Sequence, residues 1–332
     1  MTKQRRIVAI IVHYRTPEML RDAVESLLPE LDRHMDEIVI VDNASGEADV
    51  AKIRSLAGEG VRVIESSENL GFAGGNNLAI QHVMSGGSDP ASRGGGAEYV
   101  LLLNPDTLVR RGAISKLLTF LEDHPLAVAV GPRLEDPDGT PQQSAFGFIT
   151  PIAEFIRGAS IGPVSKLLKH YEVYGTIADR AHRTDWLAGA CVLMRASLIE
   201  RVGLLDDRFF MYFEEVDFFR RAALVCDQRL EVWHEPAAHV VHLVGQSSGV
   251  VRDAKQRKRL PTYWFESRHH YFRKHFGYLG MVAADACWFA GHLLNLTRKL
   301  LTGVSHAHLA HRETRDLLCH SAREWFIPRS LT

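Results

Sequence analysis

The residues best equipped for chemistry lie in two stretches far apart in the chain. Asn104-Pro105-Asp106 follows directly on an apolar run at 99–103 (YVLLL). A carboxylate at the end of a buried strand is placed to hold Mg²⁺ or Mn²⁺. Such an ion bridges diphosphate oxygens and stabilises negative charge on a departing group. The same three residues also suit a turn in which Asp106 caps the next helix. Downstream, residues 209–221 (FFMYFEEVDFFRR) run from aromatics into Glu214, Glu215 and Asp217, then into arginines. Aromatic faces beside carboxylates make a sugar-acceptor wall with a general base. Acidic residues in a first helical turn also complement the helix dipole, and Asp217 with Arg221 is an i,i+4 pair.

Three further constellations leave alternatives open. Asp42-Asn43-Ala44-Ser45 follows the run 37–41 (EIVIV). It suits contacts to a nucleobase edge or ribose, or an Asx turn with Ser45 as a helix cap. Residues 69–77 (NLGFAGGNN) contain three glycines ahead of a helix, which suits close approach to a ligand at a helix N-terminus, or a plain Gly-rich turn. The stretch matches neither G-x-G-x-x-G nor a P-loop. In 239–242 (HVVH), strand alternation puts His239 and His242 on opposite faces, which argues against one two-histidine site.

These residues need elements to hold them. Short apolar runs at 7–12, 37–41, 61–64 and 99–103 are what a parallel sheet covered on both faces requires. Pro17 opens a first helix, with Met19, Ala23, Ser26 and Leu27 at helical spacing; further helices fall near 48–56 and 75–83. The β-α-β-α-β-α-β alternation predicts a doubly wound α/β fold, with ligands at the carboxyl ends of the strands. Residues 85–96 read as a flexible insertion, and the irregular 133–183 stretch as a binding loop or lid.

The chain has 332 residues, 46% hydrophobic and 24% charged, with a formal net charge of -1. That balance gives no global field for nucleic acid. The four cysteines form no C-x-x-C pair and read as free thiols in a reducing cytoplasm. The N-terminal apolar run is too short for a signal peptide, and Asp285, His292 and Asn295 interrupt the longest apolar stretch, so no membrane span is expected. Residues 252–275 are basic and aromatic, reading as a solvated helical face or as contact with anionic lipid or a diphosphate-lipid acceptor. Leu279, Val282, Ala286, Phe289, Leu293, Leu296 and Leu300 then recur at 3,4 spacing, an amphipathic helix. Packing of that stripe on the catalytic body is the leading expectation, with homodimerisation and peripheral membrane contact as alternatives.

Taken in order, IVAIIVHYRTPEML, EIVIVDNAS, NLGFAGGNN, YVLLLNPDTLV, WLAGACVLMRASLIERVGLLDDRFFMYFEEVDFFRRA and AHVVHLVGQSS resemble the family 2 inverting glycosyltransferases, most closely a rhamnosyltransferase-like branch. The resemblance covers roughly residues 6–275. It implies a GT-A, Rossmann-like fold: a mixed, mainly parallel sheet flanked by helices, with a C-terminal helical extension. The expected domains are 1–250 (nucleotide-sugar half about 1–132, acceptor half about 133–250) and an extension at 251–332. By position, His13, Tyr14, Asp42, Asn43, Asn69, Gly71, Asn76 and Asn104 would line the nucleotide-sugar site, with Ser45 shaping the turn. Asp106 and His242 would hold Mg²⁺ or Mn²⁺. Glu215 would be the base, helped by Glu214. Trp186, Gly189 and Asp217 would serve the acceptor, with Asp206 and Asp207 ahead of its wall. Two positions depart from the family pattern: Asn104 replaces one carboxylate of the usual Asp-x-Asp, and Glu215 stands where Asp is usual.

The expected activity is transfer of one sugar from a nucleotide-sugar donor, dTDP-rhamnose or a UDP-sugar, to a glycan or lipid-linked acceptor, with inversion. The expected setting is the cytoplasm or the inner face of the cell membrane, in cell-surface polysaccharide synthesis. A non-catalytic nucleotide-sugar-binding protein is the alternative. A nucleotidyltransferase lacks support, because no Gly-rich phosphate loop follows Val12.

Overall fold

A computed structural model describes residues 6–84, 97–175, 177–226, 231–243, 259–303 and 309–326. The insertion at 85–96, residues 245–248 and the basic residues Arg252, Lys255, Arg257 and Lys258 lie outside them. The chain divides into two compact units. One comprises, among the described residues, 6–146, 177–210 and 214–243; the other comprises 147–175, 211–213 and 259–326.

The first unit is built on one sheet. Its strands are β1 (Ile7–His13), β2 (Glu37–Asp42), β3 (Val61–Glu65), β4 (Tyr99–Leu103), β5 (Thr107–Val109), β6 (Ala127–Glu135), β7 (Pro141–Gln142), β9 (His182–Thr184), β11 (Cys191–Arg195) and β12 (Glu231–His242). A separate hairpin pairs β8 (Ala145–Phe146) with β10 (Trp186–Leu187). The order across the main sheet is β3-β2-β1-β4-β11-β6-β12-β5. β1 to β4 run parallel, β11 is antiparallel to both β4 and β6, and β5 is antiparallel to β12. β6 and β12 therefore point the same way as β1–β4, and the mixed, mainly parallel sheet expected from the sequence is present.

Every residue of β1 and of β4 is buried, because helices cover both faces. Alternation sorts their side chains. Ala9, Ile11, Leu101 and Leu103 pack with α1 (Pro17–Leu27) and α4 (Ala113–Asp123) through Leu20, Val24, Leu117 and Leu121. On the other face Leu102 and Val192 meet α3 (Gly71–Met84), α7 (Ala196–Val202) and α8 (Glu214–Val225). The helix expected at 48–56 is α2 (Glu47–Arg54). The helix expected at 75–83 begins earlier, at Gly71, so the Gly-rich segment forms the first turns of α3 rather than a loop ahead of it.

The second unit holds α5 (Pro151–Ala159), α6 (Gly162–Leu167), α9 (Thr262–Thr302, bent at Gly277) and α10 (Glu313–Phe326). Thr150 caps α5 by accepting the Ala153 N–H. α5 and α9 touch backbone to backbone: a Cβ on Gly158 would lie 2.3 Å from the Trp288 carbonyl, and one on Gly291 2.3 Å from the Phe155 carbonyl. Their shared interior is ionic. The fully buried Arg268 donates to Glu154 at 2.8 and 2.9 Å and pairs with Asp285, which also accepts from Trp325 Nε1.

The 3,4 stripe of α9 faces the opposite way from the leading expectation. Leu279, Leu293, Leu296 and Leu300 are exposed, while Met281, Asp285, Trp288 and Asn295 are buried. Periodicity gives the phase of a helix, not the side that packs. Here Arg268 draws the carboxylate-bearing side inward.

Candidate active site

Asp106 is 1% exposed, at the turn between β4 and β5. β5 pairs antiparallel with the end of β12, setting Thr107 opposite His242, and the Leu243 N–H donates to the Asp106 carbonyl. The imidazole Nε2 of His242 consequently stands 3.6 Å from Asp106 Oδ1. His239 points elsewhere, its Nδ1 2.9 Å from Glu135. The buried Oδ1 of Asn104 has no hydrogen-bond partner among the described residues. One carboxylate, one imidazole and a spare amide oxygen fit Mg²⁺ or Mn²⁺ as a partial ligand set. No group of three or more His, Cys, Asp or Glu side chains suited to a metal occurs among the described residues. Further ligands would thus come from a bound diphosphate or water.

At the carboxyl ends of β1 and β2, His13 is fully buried. Its Nε2 accepts the Thr16 N–H at 2.8 Å, so in the neutral ring the proton sits on Nδ1, 3.2 Å from Asp42 Oδ1 and 3.1 Å from Ser45 Oγ. Burial holds the His13 pKa below its ordinary value, against the hydrogen bond to Asp42. The second Asp42 oxygen accepts the Ser45 N–H, and the Ser45 hydroxyl accepts the Arg15 N–H. His13, Asp42 and Ser45 thus form one hydrogen-bonded knot. Tyr14 is 40% exposed, with the Arg15 guanidinium over its ring.

Asn43 and Asn69 work as a pair. Asn43 Nδ2 donates to Asn69 Oδ1 and to the Gly71 carbonyl, and Asn43 Oδ1 accepts the Leu70 N–H. Asn69 Oδ1 also accepts the Gly71 N–H, an Asx turn into α3. Gly71 has φ +71°, and a Cβ there would lie 2.1 Å from the Phe210 carbonyl, which accepts the Phe72 N–H. A Cβ on Gly75 would meet Val12 at 2.7 Å. These glycines are required by packing within the protein. Asn76 Nδ2 turns back to the Phe72 carbonyl.

The glutamates open α8. Glu215 Oε1 accepts the Gly189 N–H at 3.0 Å, and a Cβ at Gly189 would sit 2.5 Å from that oxygen. Glu215 borders an apolar cavity of ≈ 20 Å³, shared with Ile80, Leu102, Val192, Phe218 and Phe219. Burial raises the Glu215 pKa above the ordinary carboxylate value, against hydrogen bonds from its own backbone N–H, Gly189 and Glu214. Glu214 is buried. Asp217 is fully buried and pairs with Arg221 at 2.9 Å; the guanidinium donates to the carbonyls of Val202 and Leu204. That pair braces the α7–α8 connection. Trp186 stacks on Phe146 at 4.3 Å. Asp206 pairs with Arg208, and Asp207 is exposed. Of the aromatics before Glu214, Phe209 is core, while Tyr212 and Phe213 adopt φ of 70° and 71° and pack on Tyr263, Trp264 and Tyr271.

The metal arm and the glutamate arm meet at two consecutive residues. The reversed strand β11 sets Cys191 opposite Leu103, and the Asn104 N–H donates to the Ala190 carbonyl at 2.9 Å. The adjacent Gly189 binds Glu215. Asn77, the last residue of the Gly-rich stretch and one given no role of its own in the sequence reading, exchanges two hydrogen bonds with the Leu205 backbone through its amide.

Known proteins resemble this chain in sequence and in fold. A low-salt glycan biosynthesis hexosyltransferase of Haloferax volcanii is 28% identical over 64% of the chain, and an N-acetylglucosaminyl-diphospho-decaprenol L-rhamnosyltransferase of Mycobacterium tuberculosis is 31% identical over 57%. The matches span 60% and 61% of those relatives' own lengths, so the chain corresponds to about three fifths of each. Among solved structures, a mannosyltransferase from Pyrobaculum calidifontis in complex with GDP-mannose and Mn²⁺ superposes with a TM-score of 0.53 at 15% identity, covering 99% of this chain and 89% of that one. GalNAc-T7 with UDP, GalNAc and Mn²⁺ gives 0.54 at 13%, covering 95% and 55%. At those identities the likeness establishes the GT-A fold. The model of glycosyl transferase family 2 matches residues 8–177, just over half of the chain, and the protein therefore belongs to that family.

Proposed function

We propose that the protein transfers one sugar from a nucleoside-diphosphate donor to a hydroxyl of a glycan or lipid-linked glycan, inverting the anomeric centre. The observation that carries this reading is the junction at Gly189–Ala190, which ties the Asp106 turn to the Glu215 carboxylate within one unit. L-Rhamnose from dTDP-rhamnose is the favoured donor, supported by the named rhamnosyltransferase relative. Tyr14, exposed at the end of β1, offers a ring for the nucleobase. The His13–Asp42–Ser45 knot and the Asn43–Asn69 pair hold the surrounding backbone.

Asp106 and His242, with Asn104 Oδ1, would hold Mg²⁺ or Mn²⁺, which supplies neutralisation of the leaving diphosphate. Glu215 takes the proton of the acceptor hydroxyl as its oxygen attacks the anomeric carbon. The Gly189 N–H fixes one Glu215 oxygen and so orients the carboxylate. A single in-line displacement of this kind inverts configuration.

The test is release of nucleoside diphosphate from a panel of dTDP-, UDP- and GDP-sugars with polyprenyl-diphosphate-linked acceptors, with the anomeric configuration of the product read by NMR. An inverted product is expected. Donor binding with no turnover on any acceptor would instead favour a non-catalytic binding protein. Glu215→Gln should keep donor affinity and lose roughly 10²–10⁴ in rate. Asp106→Asn should weaken Mn²⁺ binding in the presence of nucleoside diphosphate by about tenfold or more, read by electron paramagnetic resonance.

A further inference from the structure

The C-terminal half of α9 is inverted in polarity. Between Leu279 and Leu301 the inward side carries Asp285 and Asn295 beside Met281 and Trp288, all buried. The outward side carries Leu279 (80% exposed), Leu293 (65%), Leu300 (86%) and Leu301 (81%). Exposed alanines continue that side at Ala283, Ala286 and Ala290. The strip is roughly 33 Å long at 1.5 Å per residue. Exposed apolar surface of that extent marks an interaction site.

Charge identifies the occupant. Asp285 is the only acidic residue of the strip, and it is turned inward to Arg268 and His269. Arg298 and Lys299 stand at its C-terminal end. Lys299 is exposed, whereas Nε and Nη2 of Arg298 are buried. A second copy of the strip would offer leucines to the leucines but no acid to Lys299. A bilayer containing anionic lipid offers both, acyl chains for the leucines and phosphates for the Lys299 ammonium.

By length and composition α9 could cross a membrane. Its polar inner side and its backbone contact with α5 at Gly158 and Gly291 leave lipid access to one side only. We therefore propose that the outward face of α9, Leu279 to Leu301, lies in the interfacial layer of an anionic lipid bilayer, with the helix parallel to the membrane plane. The inference rests on exposure and charge, and stands whether or not the protein transfers a sugar.

The full chain should co-sediment with vesicles of phosphatidylcholine containing phosphatidylglycerol, and less with phosphatidylcholine alone. Leu293→Glu with Leu300→Glu should lower the bound fraction by about tenfold or more at unchanged Tm, since both positions are exposed. Lys299→Ala should lower the preference for phosphatidylglycerol at unchanged Tm. Wild-type protein that stays in the supernatant with both vesicle types overturns the proposal. So does a lipid-free dimer, seen by analytical ultracentrifugation, that the leucine substitutions convert to monomer.

Discussion

At the scale of single residues, Glu215 carries opposed demands. Burial raises its pKa, which brings a carboxylate base closer to the pH at which it must work. The acid limb of kcat/KM should therefore lie above the ordinary glutamate value of about 4.3. The same shift weakens the fold. A raised native pKa means the folded protein binds the proton more tightly than the unfolded chain. The contribution of Glu215 to stability is then greatest below about pH 4.3 and falls as pH rises through its native pKa. Glu215→Gln should accordingly melt above the wild type at neutral pH, with the gap closing in acid. A lower Tm for Glu215→Gln at neutral pH would show that its contact with Gly189 outweighs desolvation. Gly189 gives a second test: Gly189→Ala places a Cβ 2.5 Å from Glu215 Oε1, the far end of a flexible side chain. The fold should tolerate it while kcat drops by about tenfold or more and donor KM holds, because the base is displaced and the nucleotide end is not.

At the scale of elements, close approach between α3 and the segment before α8 organises the first unit. Gly71 combines φ +71° with a Cβ position 2.1 Å from the Phe210 carbonyl, a backbone atom that cannot swing aside. Gly71→Ala should cost at least about 2 kcal/mol in urea unfolding, from left-handed strain and overpacking together. Gly112→Ala is the control: it has φ +77°, but its Cβ would meet nothing closer than Ser115 Oγ at 3.9 Å, so it should cost less. Equal losses would show that φ alone matters at Gly71. The glycines of this stretch admit neighbouring protein atoms, Phe210 at Gly71 and Val12 at Gly75.

At the scale of the molecule, pH sensitivity has a source outside the site. His234 on β12 is buried, and burial, with His182 and Arg133 nearby, lowers its pKa to about 4 from 6.5. The unfolded chain takes up that proton first. The contribution of His234 to stability should thus be full above about pH 6.5 and decline as pH falls towards 4, by on the order of 3 kcal/mol. Urea midpoints across that window should fall for the wild type and flatten for His234→Asn. An unchanged slope in the variant would place the acid sensitivity elsewhere.

The amino-acid sequence by itself determined the β-α alternation, the sheet class and the two chemical stretches, because apolar runs, helical spacing and strand-end polar residues are local signals. It could not decide which polar residues would bond one another: His13 with Asp42 and Asn43 with Asn69 are pairings that their spacing does not announce. Only the tertiary structure brought Asp106 to His242, through antiparallel pairing of β5 with β12. Only it brought Asn104 and Glu215 to two consecutive residues, Ala190 and Gly189, through the reversed strand β11. Strand order and direction depend on contacts distant in the chain, which periodicity does not encode. The outward turn of the α9 leucines has the same origin, since burying Arg268 with Glu154 and Asp285 set which side of that helix faces the protein.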